Sequence, residues 1–112
     1  MATTTEKLCV GQDRTTTYTV TARDTAGAAI TGVYSGSETL ALEVWPKGGS
    51  AVSLSGSGVA WLSASAGTIT LTLDNSDMAA LSPGPYELSI TVTVDGEPIE
   101  VYHARLLVTY RP

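Results

Sequence analysis

His103 is the chain's one histidine, and it stands two residues before Arg105 in the run "VYHARLLV". Imidazole is the commonest general base and a common metal ligand. As a base it needs a nucleophile and an orienting carboxylate. As a ligand it needs cysteine or further histidine companions. The sequence places neither set beside it, so a surface strand residue is the expected role. Asp74 and Asp77 flank Asn75 in "DNSD". Calcium asks for roughly six to eight oxygens, and no EF-hand spacing is present, so helix capping is the better explanation. Glu38, Glu43, Glu87, Glu97 and Glu100 could supply a carboxylate pair for glycoside hydrolysis. Such a pair works inside a cleft lined by aromatic and polar groups, and a chain this small and poor in aromatics has little room for one. Cys9 is the sole cysteine, so no intrachain disulfide can form. It has no base or helix N-terminus nearby to activate the thiol, and is expected to be inert. Neither catalysis, nor a cofactor, nor a metal is expected.

Trp45 is the residue most suggestive of contact. Its position in "LALEVWPKGG" sets it on the face opposite Leu42 and Val44, beside a glycine turn. Tryptophan is enriched at contact hot spots. Trp45 and Tyr34 are the interface candidates, while Trp61, with Val59, reads as core. The net charge of −5 and the scatter of the six Lys and Arg give no basic stripe for phosphate, so nucleic acid is not expected as a partner. An anionic membrane surface is disfavoured on the same ground. No basic segment followed by an apolar run opens the sequence, and no stretch has the ~20 apolar residues of a membrane helix. Synthesis in the cytoplasm without a signal peptide is the expectation.

The elements that must position these residues read clearly. The 112 residues suffice for one domain with a modest core. Residues 1–13 are polar without a period and read as a flexible arm, with one domain over 14–112. "TTTYTVTAR", "ETLALEVWP", "VAWLS", "TITLTLD" and "YELSITVTV" alternate apolar and polar residues, the period of half-buried strands. "SAVSLS" reads as a weaker strand, and Ile30–Tyr34 as a short edge segment. The last strand, about Ile99 to Tyr110, changes parity midway, which a bulge near Val101 or Tyr102 would reconcile. "DNSDMAAL" reads as a short helical turn near residues 75–81, capped by Asp74 or Ser76. The fold expected is all-β: an immunoglobulin-like Greek-key sandwich of seven or eight antiparallel strands with that one helical turn.

In such sandwiches the chain changes sheets just before the penultimate long strand. "ALSPGPY" stands at that corner, where Pro83 ends the helical turn and Gly84 precedes the strand. Tyr86 then fits the tyrosine corner, with its ring buried and its hydroxyl bonded to upstream backbone. Pro83, Gly84, Tyr86 and Asp74 are thus expected to be structural.

The order of these motifs resembles the small immunoglobulin-like domains of bacteriophage tail and baseplate proteins, especially the N-terminal domain of upper baseplate proteins. The residues that carry the likeness are "YTVTARDTAGAAITG", "LALEVWPKGG" and "AGTITLTLDNSDMAALSPGPYELSITVTVDGEPIEVYHARLLV", together spanning about residues 15–109. That family usually has glycine before its final "R-L-x-V", where this chain has Ala104. The resemblance implies a virion component without chemistry that assembles with other virion proteins or with copies of itself, and the polar arm 1–13 is expected to order only on assembly. The alternatives from other classes are a carbohydrate-binding module, with Trp45 and Tyr34 stacking on sugar rings, and a spacer domain of a surface adhesin.

Overall fold

The computed structural model describes residues 6–12, 14–24, 26–52 and 54–109. Seven strands and one short helix follow one another: β1 (Glu6–Gly11), β2 (Thr16–Thr21), β3 (Thr39–Pro46), β4 (Gly58–Ser63), β5 (Thr68–Leu73), α1 (Asn75–Ala79), β6 (Gly84–Val94) and β7 (Glu97–Thr109). Two sheets form, one in the order β1-β7-β6-β3 and one in the order β2-β5-β4. The chain passes from one sheet to the other after β1, β2, β3 and β5, which makes this an immunoglobulin-like Greek-key sandwich. Alternation does the sorting. Ile69, Leu71 and Leu73 of β5 and Leu88, Ile90 and Val92 of β6 are buried without exception, while the threonines between them face outward. Met78 and Leu81 close one end of the core.

Three expectations are corrected. The arm is, over Glu6–Gly11, a strand parallel to β7, so the larger sheet is mixed rather than wholly antiparallel. Leu8 and Val10 are a minimal apolar alternation, and both are buried. Backbone and side-chain bonds fix the segment: Tyr18 donates its hydroxyl to the Cys9 carbonyl at 2.5 Å, and Gln12 donates its amide to the Leu81 carbonyl at 2.6 Å. Residues 1–5 and 13 of the expected arm lie outside the described residues. Residues 30–34 do not form an edge strand. Gly32 has φ +71° and turns the chain, and its N–H bonds to the Ser65 carbonyl rather than to a ladder. Nor do residues 50–52 and 54–55 form a strand, and Ser53 lies outside the described residues. The Val52 amide does donate to the Val44 carbonyl of β3 at 2.8 Å, but the Ser55 and Gly56 amides turn to the Asp77 carboxylate instead of a neighbouring strand.

Asp77 is the reason that loop stays in place. Its carboxylate, 8% exposed, accepts the Ser55 and Gly56 amides at 3.2 and 2.9 Å and the Ser57 hydroxyl at 2.7 Å. Asp74 caps the helix by accepting the Ser76 amide at 3.1 Å. Burial pushes the Asp77 carboxyl up, but the bonds from Ser57, Gly56 and Ser55 outweigh it and hold it below the ordinary aspartate range. A folded-state value below the unfolded one adds stability that is fully present above the unfolded value. That stability is lost as pH falls through the folded value. The melting temperature is therefore expected to drop as pH is taken below about 4, and to drop less steeply in Asp77→Asn. Thermal melts of both proteins across that range check this.

At the corner, Tyr86 is buried and donates its hydroxyl to the Ser82 carbonyl at 2.9 Å. Pro83 and Gly84 lie inside that loop, with Gly84 at φ +141° as β6 begins. One such bond is worth about 1 kcal/mol net. Tyr86→Phe is expected to lower the melting temperature by roughly 4–8 °C, read by calorimetry.

Candidate functional site

The outer face of the β1-β7-β6-β3 sheet holds the chain's chemistry-bearing side chains in cross-strand rows. Lys7, Arg105, Glu87 and Trp45 form one row across all four strands. His103, Ser89 and Glu43 form the next. Glu100 and Thr91 begin the row after that. On the other side of the first row lie Cys9, Leu107 and Pro85.

Glu100 reaches this face only because of a bulge. Residues three apart on a regular strand point to opposite faces. Here Ile90 pairs with Tyr102 and Thr91 pairs with Glu100, so Val101 is the extra residue. The bulge restores the outward direction for both Glu100 and His103, and re-aiming a side chain is a common use of bulges. Val101 is itself fully buried, and its carbonyl accepts the Arg23 amide at 2.7 Å, which anchors the bulge to the opposite sheet's β2 end.

The side chains gathered there are His103, Glu87, Glu100 and Ser89. His103 Nε2 is 2.9 Å from Glu87 Oε2, and Nδ1 is 3.4 Å from Glu100 Oε2. Ser89 donates its hydroxyl to the same Glu100 oxygen at 2.6 Å. Trp45 meets the imidazole edge-on, with ring centroids 6.1 Å apart. His103 is 8% exposed and Ser89 5%. The expectation of a surface histidine is therefore corrected: the ring is buried on the outer face, held between two carboxylates and a tryptophan. Parity alone could not show this, because the cover comes from Trp45, two strands away.

The order of contacts decides what this cluster can do. In a serine triad the histidine takes the serine proton and the acid orients the histidine. Here the carboxylate of Glu100 stands between Ser89 and His103, and the serine proton points at the acid. Nothing in that arrangement makes Ser89 a nucleophile. Among the described residues, no group of three or more His, Cys, Asp and Glu side chains is arranged to hold a metal ion. Of the hollows on the surface, one touches the cluster at Glu87 alone. Another, of about 280 Å³, is lined by Ser55–Ala60, Thr70 and Thr72, with no titratable side chain. It is a shallow neutral depression beside the loop that Asp77 holds.

The other sequence candidates are spread apart. Tyr34 is buried and stacks at a tilt on Trp61, with centroids 5.3 Å apart, and Trp61 donates its indole N–H to the Glu38 carbonyl at 3.2 Å. Tyr34 is thus a core aromatic, which corrects its place as an interface candidate and removes it from any stacking pair with Trp45. Trp45 is half-buried on the outer face. Cys9 is exposed and unpaired. Glu97 is in the turn region at the start of β7, far along the strand from His103 in register. Sequence reasoning missed Lys7 and Arg105 as neighbours. Only the parallel pairing of β1 with β7 brings them together, and nothing in the composition signals it. No protein-family model matches the chain, and a search of the curated proteins finds no match.

Proposed function

We propose that the chain is a non-enzymatic contact module that binds through the outer face of its larger sheet. We propose further that it serves as a structural part of a phage or prophage tail or baseplate. Its partners there are other virion proteins or copies of itself, and the bacterial cytoplasm is where it is made. The observation that carries the contact reading is the closure of the His103 cluster. The serine proton is committed to Glu100, both imidazole nitrogens face carboxylates, and the cluster is covered. What stays available beside it is Trp45, Leu107 and the cations Lys7 and Arg105, which make no ion pair with any described residue, groups that suit a protein partner. No helix of the described residues is long and apolar enough to cross a membrane. The net charge of −5 argues against a nucleic-acid partner. The virion assignment draws its support from the motif order described above. Mass spectrometry of particles purified from a strain carrying the gene tests it. The chain is expected in the tail fraction, and its absence from intact particles while it is abundant in the cell would contradict the assignment.

A further inference from the structure

Two hollows adjoin on the outer face of β1, β7 and β6, and they share Pro85 and Arg105. One, of about 210 Å³, is lined mainly by apolar surface, including Cys9, Pro85 and Leu107, with Lys7 and Arg105 at its rim. The other, of about 100 Å³, adds Lys47 and Glu87. The first has room for one apolar side chain and too little for a typical cofactor. Leu107 is 43% exposed, a large apolar side chain presented to solvent near the end of β7.

The charge around these hollows runs against the charge of the chain. The whole sequence carries −5, yet three of its six Lys and Arg residues, Lys7, Lys47 and Arg105, meet here. Glu87 stands directly opposite Arg105 in register and could neutralise it. Its carboxylate instead lies 2.9 Å from His103, and Arg105 makes no ion pair with any described residue. The His103 cluster thereby draws away the one acid that the strand pairing offers Arg105.

We propose that this surface docks an acidic polypeptide segment of a partner protein, with one apolar side chain seated over Leu107 and Pro85 and flanking carboxylates on Lys7 and Arg105. This rests on the contact-module reading and gives it a place and a partner chemistry. A second copy bound symmetrically is disfavoured, because a two-fold contact would set Lys7 and Arg105 against their own equivalents. Opposite charge on the partner removes that conflict and speeds encounter.

The probe is a fluorescein-labelled peptide of alternating glutamate and leucine, blocked at both ends, followed by fluorescence anisotropy against the whole chain. A lysine–leucine peptide of the same length is the control. The glutamate peptide is expected to bind, the lysine peptide not, and affinity to fall as salt is added. Arg105→Glu with Lys7→Glu is expected to weaken binding by ~10-fold or more, and Leu107→Asp similarly. The salt series on the unaltered chain reads the same charge dependence if a variant does not fold. Equal binding of both peptides, or binding unaffected by salt and by these substitutions, overturns the proposal. If the glutamate peptide fails to bind while the chain is found in particles, this surface is wrong and the contact reading survives. If the peptide binds as expected while the chain is absent from particles, the surface stands and the virion assignment falls.

Discussion

Gly67→Ala is expected to cost the fold about 4 kcal/mol or more, the range reached only by a named steric or burial conflict. That corresponds to a fall in melting temperature of roughly 15–30 °C for a domain of this size. Gly67 sits in the tight turn between β4 and β5 with φ +71°. A β-carbon there would lie 2.0 Å from the carbonyl oxygen of Ile30, which is backbone and cannot swing aside. The Ile30 segment is itself pinned, since the Ile30 amide donates to the Ala22 carbonyl at 2.9 Å and the Ala22 amide donates to the Gly67 carbonyl at 2.7 Å. Relieving the collision therefore breaks a three-way junction. Gly96→Ala is the control. Gly96 has a similar φ of +81° in the Asp95–Gly96 hairpin turn, but nothing lies within 4 Å of its added carbon. Only the conformational cost of about 1–2 kcal/mol is expected there. Denaturant melts of the two variants separate collision from backbone strain. Equal losses would remove the collision argument.

Asp77→Ala is expected to cost about 3 kcal/mol, or roughly 10–20 °C in melting temperature. Three donors from residues 55–57 lose their acceptor together, and two of them are the backbone amides that hold the loop against the helix. The consequence reaches beyond the helix. The Ser57 hydroxyl that donates to Asp77 also accepts the Asp74 amide at 2.8 Å, so the loop and the helix N-terminus share one network. Asp74→Ala is expected to cost about 1 kcal/mol, the ordinary worth of a helix cap. Hydrogen exchange should rise at Ser55 and Gly56 in Asp77→Ala and change little there in Asp74→Ala. If the two variants melt alike, Asp77 is no more than part of the cap.

The long strands were legible because their faces differ so sharply. β5 and β6 keep a two-residue period without a break, and each falls in the sandwich where that period puts it. The parity change after Ile99 likewise marks the bulge at Val101. What the bulge accomplishes was not legible. Bringing Glu100 beside His103 depends on which partner residue is skipped, and that is a property of two strands rather than one. β1 escaped for a different reason. Its apolar pattern is only Leu8 and Val10, and its pairing is made by β7, about a hundred residues further along, with Tyr18 and Leu81 adding bonds at its end. Tyr34 lies in an irregular loop where parity has no meaning, so its burial on Trp61 left no periodic trace. Asp77 looked like a capping or calcium residue because its neighbours are local. Its true partners lie about twenty positions upstream.

These absences share a cause. Periodicity reports the face of a strand but not its neighbour in the sheet, and the outer face of the larger sheet is made by neighbours. Lys7 and Arg105 become a pair through β1, and His103 takes the carboxylate of Glu87 that the register sets opposite Arg105.

An amide chemical-shift map of the ¹⁵N-labelled chain, titrated with the glutamate–leucine peptide, tests that picture most directly. Shifts confined to residues 7–9, 47 and 105–107 are the expected result. Shifts centred instead on the Ser55–Ala60 depression or on the outward threonines of β2 and β5 would show that the partner face had been placed on the wrong sheet.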